Sequence, residues 1–318
     1  MSRAFVLGAL ALAFASTAPF SAADPVPISE GVATSADGTR IYYRVAGDGG
    51  DVVIAPFALL HVAKLDGLAS PKRRIVTYDP RGRGLSDRVP PEKVSLDLLL
   101  SDLDGVRKAV GAERVAIIGW SGGGMEMFVY ALRNPAHVTR LVQLTPIGPR
   151  AAFGEAMMKD REARTDKAAR DKLRQRIAAG EFKGREADLC RATNAVSLPT
   201  TLADPNRVGE LPDVCNYENE WDSNLGPYFD ALLGSFGEFD WRKDLPKVTI
   251  PRLVIHGEAD NIPLASSEEW VRGASNARLM IVKAAGHWPH YEQPQTTLPA
   301  IAKFLDGEWP PEAIALAP

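Results

Sequence analysis

Residues 114–124 read Arg-Val-Ala-Ile-Ile-Gly-Trp-Ser-Gly-Gly-Gly and decide the fold. The apolar run 115–118 is typical of a buried strand, and a helical pattern follows from about Met125 to Arg133. Between a strand and a helix, Gly-x-Ser-x-Gly indicates a nucleophile elbow, with Ser121 on a strained turn. We expect the first and last glycines of the motif where strand and helix pass closely. The alternative, a glycine-rich structural turn, is less consistent with these flanking elements.

Strands and helices alternate on both sides of this stretch. Residues 30–46 have a period-two pattern around Asp37-Gly38, which indicates a β-hairpin. Further strands are predicted at 51–55, 74–79, 138–145, 252–256 and 277–282, and helices at 96–110, 265–273 and 294–305. This alternation predicts an α/β fold in which a mostly parallel sheet carries helices on both faces.

The alternation breaks after the sixth predicted strand. Residues 154–186 are dense in charges of both signs, which predicts a solvated helix with surface ion pairs. We therefore expect a helical cap inserted after that strand. The predicted division is a core segment at 24–145, the cap at 146–246, a second core segment at 247–306 and a loosely held tail at 307–318.

The first 23 residues have the pattern of a cleavable export signal. Arg3 supplies the positive charge, residues 4–15 are apolar, and Ser21-Ala22-Ala23 offers small residues for cleavage. An uncleaved anchor or a disordered start is the alternative, although the apolar run is too short to span a bilayer. We expect a secreted or periplasmic protein without stable membrane insertion.

Charge and cysteine usage narrow the function classes. The formal net charge is −3 over 318 residues, and no basic stripe indicates nucleic-acid binding. In an exported chain, Cys190 and Cys215 are expected to form a disulfide, with two free thiols as the alternative. Neither cysteine has neighbours at a zinc-binding spacing. No metal or organic cofactor is expected.

A serine nucleophile needs a base and an acid that orients the base. His287 follows the last predicted strand, at the edge of the sheet where parallel strands end and such folds place their sites. His290 is the rival base. Asp260 follows the strand at 252–256 and is the predicted orienting acid, with Glu258 as the alternative.

An oxyanion hole requires backbone N–H groups that point at the developing negative charge. Gly122, directly after the serine, is one predicted donor. The other is expected in the loop after the strand at 51–55. Pro56 has no N–H, so Phe57 is the predicted donor, with Ala58 as the next candidate.

Four segments together resemble the α/β-hydrolase superfamily. They are Tyr78-Asp-Pro-Arg-Gly-Arg-Gly-Leu-Ser-Asp87, Gly119-Trp-Ser-Gly-Gly123, His256-Gly-Glu-Ala-Asp260 and Ala285-Gly-His287. Within the superfamily, the chain is most similar to the proline-iminopeptidase-like branch and its general serine hydrolase relatives. The resemblance implies a Ser-His-Asp hydrolase with a helical cap. Two features depart from the family: Ala55-Pro56 replaces the common His-Gly, and the small Gly122 follows the serine.

The substrate is expected to be a small molecule or a short peptide. Trp120 and Trp288 flank the predicted catalytic groups and are expected to line an apolar pocket. A peptidase must also hold the ammonium group of its substrate, for which Glu218 and Glu220 are the candidates. An exposed acidic turn is the alternative for these two residues.

Three functions therefore remain open. The first is an amino-terminal peptidase with a preference for proline or another small residue. The second is an esterase or lactonase for small acyl compounds. The third is a non-catalytic protein that binds ligands in the same pocket, which intact Ser121, Asp260 and His287 disfavour.

Overall fold

Residues 26–317 are described by the structure, a computed structural model. The predicted export signal at residues 1–23 lies outside this range. The strands are β1 (Ile28–Thr34), β2 (Arg40–Ala46), β3 (Asp51–Pro56), β4 (Arg73–Tyr78), β5 (Val115–Trp120), β6 (Val138–Leu144), β7 (Arg252–Gly257) and β8 (Ala277–Val282). The α-helices are α1 (Ala58–Leu65), α2 (Leu96–Ala109), α3 (Gly122–Arg133), α4 (Phe153–Arg164), α5 (Lys167–Ala178), α6 (Glu186–Ser197), α7 (Asp222–Phe236), α8 (Leu264–Val271), α9 (Pro289–Glu292) and α10 (Pro294–Leu305). In this part of the chain, every helix is too short or too polar to cross a membrane.

The strands form one sheet in the order β1-β2-β4-β3-β5-β6-β7-β8. β1 and β2 are the predicted hairpin, and β2 also runs antiparallel to β4. All the remaining neighbours are parallel. The predicted α/β fold with a mostly parallel sheet is confirmed.

Both faces of the sheet are buried. On β3, Val52 and Ile54 pack into one core, whereas Val53 and Ala55 pack into the other. Helices α2, α3 and α8 cover the first face, and α1 and α10 cover the second. A strand buried on both faces has a nearly continuous apolar sequence, which is why these strands were recognisable as short apolar runs.

The segment between β6 and β7 leaves the sheet and forms α4 to α7, joined by short 3₁₀ turns. Its charged stretch forms two helices, not the single helix expected. The break occurs because Thr165 is extended and the Asp166 side chain accepts a hydrogen bond from the Ala169 N–H at 3.0 Å, which starts a new helix. The predicted surface ion pairs are present, for example between Asp160 and Arg164. The cap boundaries at 146 and 246 stay a prediction.

A disulfide joins Cys190 of α6 to Cys215, as expected. Both sulfur atoms are buried, and the Asn194 amide donates to the sulfur of Cys215 at 3.3 Å. Trp221 donates its indole N–H to the Cys215 carbonyl at 3.0 Å. The disulfide therefore fixes the start of α7 against α6.

The C-terminal tail is anchored, so the expectation of a loosely held segment is wrong. Ile314 pairs with Leu279 of β8 through two backbone hydrogen bonds of 2.8 and 2.9 Å. Trp309 packs on Phe304 of α10, with ring centroids 5.0 Å apart. Since β8 is an edge strand, its outer backbone groups need partners, and the tail supplies some of them.

Candidate active site

Ser121 lies on a strained turn between β5 and α3. Its backbone angles are φ 54° and ψ −123°, and its side chain makes no capping hydrogen bond to the helix. A conformation of this kind costs about 1–3 kcal/mol in a residue that carries a Cβ. A Cβ at Gly119 would collide with the carbonyl oxygen of Gly123. Gly124, which would meet Pro146 at 2.8 Å, is the other position where the close approach requires glycine, whereas Gly123 has room.

His287 and Asp260 are brought together from two separate loops. The Nδ1 atom of His287 lies 3.0 Å and 3.2 Å from the two carboxylate oxygens of Asp260. The Asp260 carboxylate is fully buried and also accepts the Ile262 N–H at 3.0 Å. This contact fixes the orientation of the imidazole and leaves its Nε2 atom as the ring nitrogen that Asp260 does not engage.

The backbone of His287 is held as firmly as its ring. The Trp120 indole N–H donates to the His287 carbonyl at 2.7 Å, and the Thr145 hydroxyl donates to the same oxygen at 3.1 Å. The His287 N–H donates in turn to the Thr201 carbonyl at 2.7 Å. Three parts of the chain therefore position this loop, and Thr145 and Thr201 carried no signal of that role in the sequence.

The alternative candidates for the base and the acid, His290 and Glu258, contact other groups. His290 is buried with its Nε2 3.1 Å from Nδ1 of His61, and burial lowers the pKa of His61 to about 3. A fully buried, uncharged pair of this kind is a poor general base for a substrate in the cavity. Glu258 approaches the backbone N–H of Ala284, whereas the His287 ring contacts the carboxylate of Asp260.

The two predicted oxyanion donors stand at the starts of two helices. Phe57 precedes α1 in the left-handed conformation, with φ 64° and ψ 58°. Gly122 is the first residue of α3. N–H groups in the first turn of a helix have no partner within the helix, and the positive end of the helix dipole favours an anion there. Both residues thus carry N–H groups of the type that an oxyanion hole requires.

A cavity of about 550 Å³ adjoins these residues and has a mainly apolar wall. Ser121, Gly122 and His287 lie in its wall, together with the predicted pocket residues Trp120 and Trp288. Helices α4, α6 and α7 supply the opposite side. The volume is within the range usual for a small-molecule site.

The two carboxylates predicted to hold an ammonium group have different surroundings. Glu218 is exposed and outside the cavity wall, which corrects the expectation for this residue and fits the exposed acidic turn. Glu220 is in the wall but is bound by Arg83, with N–O distances of 2.6 Å and 2.9 Å. The amide of the neighbouring Asn219 donates to the carbonyls of Gly84 and Ser86 at 3.1 and 2.9 Å.

Arg83 and Glu220 neutralise each other's charge. Burial alone would lower the pKa of the Arg83 guanidinium, but the charge and hydrogen bonds of Glu220 raise it above its ordinary value. The Gly84 N–H also donates to Glu220 at 2.9 Å. Both charges are thus satisfied within the protein, and neither is free to bind a charged group of a substrate.

Two other charged residues of the wall were missed in the sequence. Glu126 of α3 is fully buried, and burial raises the pKa of its carboxyl to about 7. A single acidic residue in the otherwise apolar start of that helix was a signal for it. Arg161 of α4 is partly buried, and burial lowers the pKa of its guanidinium. It lies among many charged residues, so its position in the cavity wall had no signal.

The sequence matches the family model described as alpha/beta hydrolase fold over residues 63–294. The protein named proline iminopeptidase PfmaB, from Pestalotiopsis fici, is 28% identical over 237 residues. That match covers 73% of this chain and 82% of the relative.

Two solved structures have a similar fold. A proline iminopeptidase from Mycobacterium smegmatis has a TM-score of 0.61 and 21% identity, covering 87% of this chain and 98% of its own. The esterase EaEST from Exiguobacterium antarcticum has a TM-score of 0.64 and 19% identity, covering 87% of this chain and 99% of its own. At these identities the likeness concerns the fold alone.

Proposed function

Because the chain belongs to the α/β-hydrolase fold family, we propose that it is a serine hydrolase that cleaves a small ester or amide. The observation that carries the proposal is the contact of 3.0 Å between Asp260 and His287, since His287 lies in the wall of the same cavity as the strained Ser121. A nucleophile, a base and an acid that orients the base are the three parts that acyl transfer to serine needs.

The proposed reaction has two halves. The Ser121 hydroxyl attacks the substrate carbonyl while Nε2 of His287 takes the hydroxyl proton, and Asp260 stabilises the imidazolium. The N–H groups of Phe57 and Gly122 bind the oxyanion. His287 then protonates the leaving alcohol or amine. In the second half, His287 activates a water molecule, which attacks the acyl-enzyme and releases the acid.

The mainly apolar wall supports a small acyl compound as substrate. An esterase needs no charged group to recognise such a compound. With Glu218 exposed and Glu220 bound to Arg83, neither of the predicted carboxylates is free to hold an ammonium group. These surroundings support ester hydrolysis as the first candidate activity.

An amino-terminal peptidase is the second candidate, in keeping with a relative named as a proline iminopeptidase. The observation that favours it is Glu126, a buried carboxyl in the cavity wall that makes no ion pair among the described residues. An ammonium group beside it would lower the pKa of Glu126 and be bound by the resulting carboxylate. A panel that contrasts prolyl and alanyl arylamides with short-chain 4-nitrophenyl esters separates the two candidates.

A serine-directed fluorophosphonate tests the nucleophile. The wild-type protein should be labelled, and Ser121→Ala should not. Labelling that persists in the variant would remove Ser121 from its role. Absence of labelling and of hydrolysis in the wild type would favour the non-catalytic binding protein instead.

We also propose that the protein is exported. The support is the signal-like pattern at residues 1–23 and the disulfide between Cys190 and Cys215, a bond that persists in oxidising compartments. The mature protein should begin at Asp24 when its N-terminus is read by mass spectrometry. An intact N-terminus in the exported fraction would contradict cleavage.

A further inference from the structure

Hydrogen bonds hold helix α4 against the loop that carries Asp260. The Arg164 guanidinium donates to the carbonyl of Ala259 at 2.7 Å and to that of Asp260 at 3.3 Å. Its Nε also lies against Asp160, one turn earlier in the helix. Positions three and four residues apart share one face of a helix, so this attachment also fixes the direction of Arg161.

Arg161 lies in the wall of the same cavity as Ser121. Met157 and Met158, one turn before it, are in that wall too, so one face of α4 lines the cavity. The Arg161 guanidinium has no ion pair among residues 26–317, and burial is the sole influence on its pKa, which is lowered. Arginine stays charged at neutral pH even so.

An unpaired, partly desolvated guanidinium is costly, because burial removes water that no protein group replaces. By contrast, the other arginine of the wall, Arg83, is neutralised by Glu220. The cavity therefore holds one positive charge that lacks a partner within the described chain. A planar guanidinium matches a carboxylate through two parallel hydrogen bonds.

We propose that Arg161 binds a carboxylate carried by the substrate, so that the site prefers anionic esters or amides to neutral ones of the same size. The proposal rests on the proposed serine hydrolase function. It concerns a carboxylate and not a phosphate dianion, because a doubly charged group would call for a second unpaired cation and Arg83 is already occupied. The carboxylate is carried either by the acyl part or by the leaving group.

Two matched pairs of substrates distinguish these sources. The acyl-side pair is the 4-nitrophenyl hemiester of glutaric acid and 4-nitrophenyl butyrate. The leaving-group pair is 4-acetoxybenzoate and phenyl acetate. Wild-type kcat/KM should be at least about tenfold higher for the anionic member of one pair, the size expected for a charged hydrogen-bonded contact.

The variants are Arg161→Gln and Arg161→Lys, with Arg174→Gln as control, since Arg174 is exposed on α5 and outside the cavity wall. Arg161→Gln should remove the preference by lowering kcat/KM for the anionic ester about ten- to a hundredfold more than for the neutral one. Arg161→Lys should keep part of the preference, because lysine retains the positive charge but cannot form the two parallel hydrogen bonds of a guanidinium. Arg174→Gln should behave as wild type.

Two results overturn the proposal: no preference for the anion in either pair, or an equal loss on neutral and anionic esters in Arg161→Gln. A failure of the hydrolase function itself looks different, with no turnover of any ester and no fluorophosphonate labelling. In that case, titration calorimetry with glutarate tests whether Arg161 binds a carboxylate. Binding that is equally strong in Ser121→Ala and in Ser121→Ala/Arg161→Gln, or absent from both, overturns the proposal.

Discussion

Arg83 and Glu220 form a buried ion pair between residues 137 positions apart in the chain. Arg83 belongs to the loop after β4, whereas Glu220 precedes α7 in the segment between β6 and β7. The Tyr228 ring of α7 lies with its centroid 5.5 Å from the Arg83 guanidinium carbon. The pair therefore ties the inserted segment to the sheet beside the cavity.

Removing one partner of this pair should destabilise the protein strongly. Glu220→Ala leaves a buried guanidinium without its counter-charge, and the free energy of unfolding should fall by about 3–5 kcal/mol. The double variant Arg83→Met/Glu220→Leu should lose less, because no charge is then left buried. Urea unfolding gives both values. Glu218→Ala is the control, with a change within about 0.5 kcal/mol, and an equal effect of the two alanine variants would refute the argument.

Asp260 should control the rate through the tautomer of His287. In Asp260→Asn, the amide no longer holds the Nδ1 proton and no longer stabilises the imidazolium, so kcat should fall by roughly 10³–10⁴. Glu258→Gln should retain nearly full activity, since the Asp260 carboxylate is the one that contacts the ring. The measurement is ester hydrolysis under saturating substrate. Comparable losses in both variants would contradict the assignment of the acid.

Glu126 should make the protein less stable as the pH rises. Its pKa is about 7 in the folded protein and 4.5 ordinarily, so the folded state binds the proton more tightly. The resulting stability is fully present below pH 4.5 and is lost as the pH rises through 7, by about 3 kcal/mol. Glu126→Gln removes this dependence.

The difference in unfolding free energy between Glu126→Gln and wild type should therefore grow in favour of the variant from pH 4.5 to pH 8. Burial also raises the pKa of Asp79, to about 6, and gives a decline of the same sign. Asp79 is present in both proteins, so its contribution cancels in the comparison. A constant difference across this pH range would show that Glu126 titrates as an ordinary carboxyl.

The disulfide should stabilise the folded chain by limiting the unfolded one. Cys190 and Cys215 are separated by 25 positions, for which loop closure accounts for roughly 3–4 kcal/mol. Cys190→Ala/Cys215→Ala should lower the free energy of unfolding by that amount, and a reductant should lower the stability of the wild type but not of the variant. Equal responses to reductant would mean that the bond is absent from the folded protein.

Local patterns were enough to predict most of the sheet. The turn at Asp37-Gly38, the buried runs of the parallel strands and the apolar stripe of α2 are all signals carried by neighbours in the chain. The order of the strands in the sheet is not predictable from such local patterns. The placement of β4 between β2 and β3 depends on contacts between distant strands, and nothing in a single strand's sequence encodes its neighbour.

The residues of the candidate site also divide into those that local sequence patterns predict and those that only contacts between distant parts of the chain position. Ser121, Asp260 and His287 follow strands, and the carboxyl ends of parallel strands meet at one edge of a sheet. Glu220 illustrates the opposite case: its acidic character was visible in the sequence, but its partner Arg83 lies 137 positions away. Arg161 shows the limit most clearly, because only the packing of α4 separates it from the solvated arginines around it.

Because Ile314 pairs with Leu279, the two edges of the sheet differ in how open they are to another strand. On the β8 side, the chain's own tail occupies part of the edge. On the β1 side, the described residues place no further strand, and Val32 is half exposed there. Because part of the β8 edge is already paired, the β1 edge is the more open of the two among the described residues, and a strand from another chain would add there first.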